Sequence, residues 1–158
     1  MDVSQERKDE IIKNRLQKEV KDGIQTFQYQ INTLQTSNGQ APFLSVLLYI
    51  SENPEYEEET VMLIEETLRQ RIKGMQNEVG AWITPAFPKL LYVTDENNIY
   101  AGSKYYYLTE LAAKCVAKRM MPDFLSAKIL KQNYEGNVFG PMGKRILSSC
   151  KTSLTLVA

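Results

Sequence analysis

Apolar residues recur at three- and four-residue steps from the amino terminus onward. Ile11, Ile12, Leu16, Val20, Ile24, Phe27 and Ile31 fall on one side of a 3.6-residue repeat, and lysine, glutamate and glutamine fill the other. The spacing predicts a helix over residues 5–34. A bend or break is expected at Gly23, which inside a helix costs about 1 kcal/mol against alanine. A polar stretch, residues 32–42, then closes on turn residues and leads into an almost wholly apolar run, residues 43–50. There Val46, Tyr49 and Ile50 favour strand, and Pro42 stands at the first position, where a missing donor matters least. After the break at Ser51-Glu52-Asn53-Pro54 a second helix is predicted over residues 57–75. Glu57, Glu58 and Glu59 in its first turn and Arg69, Arg71 and Lys73 in its last turns complement its dipole, which accounts for those charges. Gly74 and residues 76–80 end it.

The centre of the pattern is residues 81–93, where Pro85 and Pro88 hold an irregular approach to a short buried strand at residues 89–93, closed by the turn Asp95-Glu96-Asn97-Asn98. Ser103 is the expected cap of a helix over residues 105–119, Pro122-Asp123 interrupts, and a further helix is expected over residues 124–132. Residues 146–158 mix serine and threonine with Leu154, Leu156 and Val157, as a loose final strand or a frayed tail. Apolar strands embedded between helices predict an α/β fold with a largely parallel sheet, whose strand-end loops carry any chemistry. The runs at 43–50 and 90–93 are expected to pair in parallel through the helix between them, by a right-handed crossover.

Composition narrows the chemistry. The 158 residues carry 19 lysines and arginines against 19 aspartates and glutamates, so no global field draws the chain to nucleic acid or to an anionic membrane, and neither is expected as a partner. One domain is the default for this length. No apolar run reaches the roughly 20 residues that span a bilayer. The charged start of the chain does not read as a signal peptide, and a cytoplasmic setting is expected.

The sequence contains no histidine, which removes Ser-His and Cys-His nucleophile pairs and histidine metal sites, and leaves carboxylates, lysines, tyrosines and cysteines as candidate acids and bases. Two cysteines without metal-ligand spacing fit a reducing compartment. Cys115 reads as a buried, inert thiol inside a helix, and Cys150 lies among serines. Tyr105, Tyr106 and Tyr107 read as packing rather than base stacking. Residues 138–145, with Gly140, Pro141, Gly143, Lys144 and Arg145, form a turn able to approach an anion but without P-loop spacing.

Five blocks, in order, carry a resemblance to a known family: Gln28-Tyr29-Gln30-Ile31-Asn32-Thr33-Leu34; Asn38-Gly39-Gln40-Ala41-Pro42-Phe43; Arg71-Ile72-Lys73-Gly74 with Asn77-Glu78; Thr84-Pro85-Ala86-Phe87-Pro88-Lys89-Leu90-Leu91-Tyr92-Val93; and Leu111-Ala112-Ala113-Lys114-Cys115 with Ala117-Lys118-Arg119-Met120 and Pro122-Asp123. Over residues 25–145 the chain resembles the anaerobic (class III, glycyl-radical) ribonucleoside-triphosphate reductases. The resemblance implies that residues 1–147 are part of a ribonucleotide-reductase-type α/β barrel, with 148–158 a divergent tail. It implies substrate binding by Asn38, Gln40, Met142, Gly143 and Arg145. Lys144 stands where the family has its radical cysteine, and Pro141 where it has a second cysteine. Neither side chain supplies the sulfur that abstracts the ribose 3′ hydrogen.

Further implications concern partners and cofactors. The family reaction uses a ribonucleoside triphosphate, a nucleotide effector at a homodimer interface, and formate or a thiol system as reductant. Its glycyl radical and cysteine-bound zinc lie in a carboxyl-terminal segment, and a separate iron-sulfur and S-adenosylmethionine activase makes the radical. This chain is expected to hold none of these cofactors, to be a truncated piece of the enzyme, and to be inactive alone. The alternatives are a noncatalytic nucleotide-binding or interaction module complementing another polypeptide, and a degenerate remnant.

Overall fold

The computed structural model describes residues 5–34, 39 and 43–140. The elements run α1 (Gln5–Thr33), β1 (Ser45–Leu48), α2 (Glu57–Lys73), β2 (Met75–Gln76), β3 (Trp82–Ile83), β4 (Lys89–Thr94), α3 (Tyr106–Arg119), β5 (Asp123–Ser126) and α4 (Ala127–Asn133). This is an α/β arrangement around a three-stranded parallel sheet of order β1-β4-β5. As the apolar runs predict, β1 and β4 are parallel, with Val46 opposite Leu90 and Leu48 opposite Tyr92, and α2 lies in the crossover.

Strand alternation divides the sheet into two apolar faces. Leu48, Leu90 and Tyr92 pack with Val61, Ile64 and Leu68 of α2 and with Leu108, Ala112 and Cys115 of α3. On the other face Val93, Tyr49 and Ala127 pack with Leu47, Leu125 and Val138. Both faces of β4 are therefore covered, which is why it reads as a continuous apolar run.

Several sequence expectations are corrected. The helix expected over residues 124–132 begins as a strand: Asp123–Ser126 pairs with β4, and only Ala127–Asn133 is helical. Ladder pairing with an already formed β4 overrides a helical pattern too short to nucleate alone. Residues 75–83 are a small antiparallel hairpin rather than a plain helix terminus, with Met75 opposite Ile83 and Gln76 opposite Trp82. Asn77 fixes its turn, its side-chain oxygen accepting from the amides of Val79 at 3.2 Å and Ala81 at 2.8 Å.

Ser103 does not cap α3. Its hydroxyl donates back to the Tyr100 carbonyl at 2.8 Å, and the helix starts after Tyr105 without a side-chain cap. The bend expected at Gly23 is absent, since α1 runs unbroken across it. The apolar stripe of α1 is covered only near its carboxyl end. Gln28 and Ile31 are buried, while Ile12 remains 62% exposed and Leu16 42%.

Of the three tyrosines expected to pack, Tyr105 is buried and Tyr106 half-buried, whereas Tyr107 is 44% exposed and donates to Glu65 at 3.3 Å. The tail at residues 146–158 lies outside the described residues. Among the described residues, no helix is long and apolar enough to cross a membrane.

Cys115 is fully buried in the core beneath β4, as its alanine-rich surroundings predict. Burial pushes its thiol up from an ordinary value near 9 to about 11, against the opposing pull of the Arg71 and Arg119 guanidiniums. A pKa raised on folding contributes stability that is full below the unfolded value, near 9, and is lost as pH rises through about 11. Native Cys115 should therefore resist labelling by a thiol reagent. Wild type should also lose roughly 2 kcal/mol more stability than Cys115→Ala as pH passes through that window, measured by urea denaturation across the pH series. Rapid labelling of the folded protein, or equal losses, would contradict this placement.

Candidate functional site

The irregular segment at residues 84–88 gathers side chains from all three long helices. From α2, the fully buried Arg71 donates through Nη1 to the Pro85 carbonyl at 2.8 Å and through Nη2 to the Pro88 carbonyl at 2.7 Å. Pro85 and Pro88 cannot answer with donors of their own, so their carbonyls are the natural acceptors for a forked cation. Burial lowers the Arg71 guanidinium to about 10, which still leaves it charged at neutral pH. Its nearest other neighbours include the Met121 sulfur, 3.9 Å from Nη1. Among the described residues the ion pairs are Arg69–Glu65 and Lys104–Glu57, both exposed in part, and neither involves Arg71.

From α1, Asn32 pairs with the backbone of Phe87 in both directions. Its amide donates to the Phe87 carbonyl at 2.7 Å, and its side-chain oxygen accepts from the Phe87 amide at 3.4 Å. From the end of α3, Arg119 donates to the carbonyls of Ile72 at 3.1 Å and Lys73 at 2.7 Å, and to Thr84 Oγ1 at 3.0 Å. It thereby satisfies carbonyls left open at the carboxyl terminus of α2. Gly74 makes room for this contact. Its φ is +87°, and a Cβ there would lie 2.5 Å from the Ile83 carbonyl oxygen and 2.7 Å from Arg119 Nη2.

The sequence-derived site residues Asn38, Gln40, Met142, Gly143, Lys144 and Arg145 lie outside the described residues. Their described flanks converge. Phe43, just after the first motif segment, packs edge-on against Phe87 with ring centroids 5.2 Å apart, and the Lys89 amide donates to the Leu44 carbonyl at 2.8 Å. Gly140, just before the second, lies so close to Leu91 that a Cβ would stand 2.6 Å from Leu91 Cδ1. The described flanks, Phe43-Leu44 and Gly140, thus meet the approach to β4 and its first half, Gly140 on the sheet face away from α2 and α3.

The far end of β4 is built from polar groups that close the turn. Ser51 donates to Asp95, Asn97 Nδ2 donates to Ser51 Oγ at 3.2 Å, and the fully buried Asn98 donates to the Val93 carbonyl at 3.0 Å while accepting from the Asp95 amide at 2.9 Å. These bonds are internally satisfied, so this end reads as a structural turn. No cluster of three or more histidine, cysteine, aspartate or glutamate side chains able to hold a metal occurs among the described residues.

Sequence reasoning missed Arg71, Arg119 and Asn32 as organising residues. Arginines in the last turn of a helix are accounted for by the dipole, which hides a second role. The available signal was the pairing of Arg71 with a nearby proline-rich segment that offers carbonyls and no donors at Pro85 and Pro88.

Residues 4–155 match the family described as anaerobic ribonucleoside-triphosphate reductase. The proteins named anaerobic ribonucleoside-triphosphate reductase from enterobacteria phage T4, Haemophilus influenzae and Escherichia coli are 37%, 33% and 34% identical over 84%, 82% and 84% of this chain. Those matches cover 21%, 17% and 18% of the relatives, so the chain spans about a fifth of their length.

Arg71→Met keeps much of the volume but orphans the Pro85 and Pro88 carbonyls. It should cost roughly 2–4 kcal/mol in urea denaturation, and Arg71→Lys should recover less than half, because one ammonium cannot reproduce the planar fork. Full recovery by lysine would reduce Arg71 to a simple charge.

Proposed function

The chain belongs to the anaerobic ribonucleoside-triphosphate reductase family, and from that membership we propose that it builds part of a catalytic α/β barrel in which a ribonucleoside triphosphate is reduced to its deoxy form. The carrying observation is the convergence on β4. Asn32, Arg71, Arg119 and residues 84–88, drawn from four separate blocks of the family pattern, meet in one knot, and the flanks of both motif segments attach beside it. In this reading β1, β4 and β5 are neighbouring barrel strands, and the face of β4 that carries Leu91 and Val93 looks inward.

Asn38, Gln40, Met142, Gly143 and Arg145 bind the substrate in this proposal, with Arg145 and Lys144 offering positive charge to the triphosphate. Lys144 changes what the site can do. Hydrogen abstraction from the ribose 3′ carbon moves a hydrogen atom onto a sulfur radical, and an ammonium group has no equivalent step. This favours a second reading in which the chain binds nucleotide without turning it over and pairs with a complementary polypeptide.

The remaining partners follow from the same membership: a nucleotide effector, a homodimeric assembly, a radical activase using an iron-sulfur cluster and S-adenosylmethionine, and formate or a thiol as reductant, in the cytoplasm. The glycyl radical and zinc are assigned to a segment other than these residues.

Deoxynucleotide formation from labelled ribonucleoside triphosphate, under strict anaerobiosis with activase, reductant and effector, tests the assignment of Lys144. The expected result is no product from this chain, and loss of product when lysine replaces the matching cysteine of an intact relative used as positive control. Product above the no-protein blank from this chain, or an active lysine variant of the relative, would place the radical site elsewhere.

A further inference from the structure

Two nitrogens of the buried Arg71 guanidinium donate to peptide carbonyls, and its third polar contact is of a different kind. The Met121 sulfur stands 3.9 Å from Nη1, and Nε has no hydrogen-bond partner among the described residues. A thioether is a weak acceptor, so this fully buried cation is short of the acceptors its charge calls for. Met121 itself is half-buried, and its neighbour Met120 is 87% exposed on the left-handed turn that ends α3. Met121 thus links the surface to the buried cation.

Oxidation of a thioether by hydrogen peroxide is a two-electron oxygen transfer. The sulfur lone pair attacks one peroxide oxygen, and the S–O bond forms as the O–O bond breaks. The departing hydroxide takes the proton left on the transferred oxygen and leaves as water, so sulfur is oxidised by two electrons and peroxide is reduced. The product is a sulfoxide, whose oxygen is a far stronger acceptor than the sulfur was. In a core this change ordinarily disrupts packing, because it places a polar atom among apolar ones. At Met121 the new oxygen has a cation to meet. An N–H···O separation of about 2.9 Å fits the 3.9 Å gap once the oxygen is tilted off the line from sulfur to Nη1, so the backbone need not move.

We propose that Met121 is a peroxide-sensitive modification site, whose sulfoxide oxygen accepts from Arg71 Nη1 and tightens the segment at residues 84–88. Its effect is to stiffen the start of β4, the strand shared by both sheet faces. Methionine sulfoxide reductases return sulfoxides to thioethers, so the change is reversible. The proposal uses only the contacts of Arg71 and stands apart from the family reading and from Lys144.

The full chain and Met121→Leu are treated with dilute hydrogen peroxide, and urea denaturation is recorded before and after. Peptide mass spectrometry separates oxidation at Met121 from oxidation at Met120. Met121→Leu keeps the volume and cannot be oxidised at that position, so the effects of the other methionines are common to both proteins. Met121 should be converted in the folded chain. Its conversion should lower the unfolding equilibrium constant about tenfold relative to treated Met121→Leu. Exchange of the Lys89 amide, which donates to the Leu44 carbonyl, should slow in parallel. Methionine sulfoxide reductase should return both readings to their starting values. Met121→Gln, whose amide oxygen stands where the sulfoxide oxygen would be, should be more stable than Met121→Leu without any peroxide. Three results would each overturn the proposal: a Met121 that stays reduced until the chain unfolds, oxidation that leaves stability unchanged or lowers it relative to treated Met121→Leu, or a Met121→Gln protein no more stable than Met121→Leu.

Discussion

A buried guanidinium with no carboxylate beside it among the described residues organises this structure. Arg71 is fully enclosed, and its charge is met by the peptide carbonyls of Pro85 and Pro88 rather than by an acid. Such an arrangement persists only where the geometry of the acceptors is fixed, since an unpaired buried cation carries a large desolvation cost. Here the acceptors sit in a segment stiffened by two prolines, gripped from one side by Asn32 and from the other by Arg119 through Thr84. The consequence is a rigid start for β4, the strand on which both sheet faces depend.

How far the fold could be read beforehand depended on the type of signal. The parallel pairing of β1 with β4 was legible because both are short apolar runs separated by a helix-length amphipathic segment, and few connections satisfy that spacing. β5 was not, because Asp123 and Ser126 leave only Phe124 and Leu125 as apolar residues, and its identity comes from pairing with β4 rather than from its own pattern. α1 was legible as a helix, but not in what it covers: periodicity identifies an apolar stripe without saying which part meets a partner. Local chemistry was legible where it was local, as at Cys115, and illegible where it joined distant segments, as with Arg71 reaching 14 and 17 residues along the chain.

The candidate site divides in the same way. Its motif residues were found in the sequence through a family pattern, and the structure contributes the convergence of their flanks at Phe43–Phe87 and Gly140–Leu91. Lys144 was legible only as a departure from the family pattern.

The dependence of β4 on Arg71 is open to direct measurement by amide hydrogen exchange on the folded Arg71→Met protein. If the guanidinium organises the start of the strand, the amides of Phe87, Lys89, Leu90 and Leu91 should lose protection by a much larger factor than those in the middle of α3, whose own hydrogen bonds do not pass through the knot. Equal loss across both regions, or unchanged protection at Lys89 and Leu90, would show that the sheet forms without Arg71 and would contradict the account.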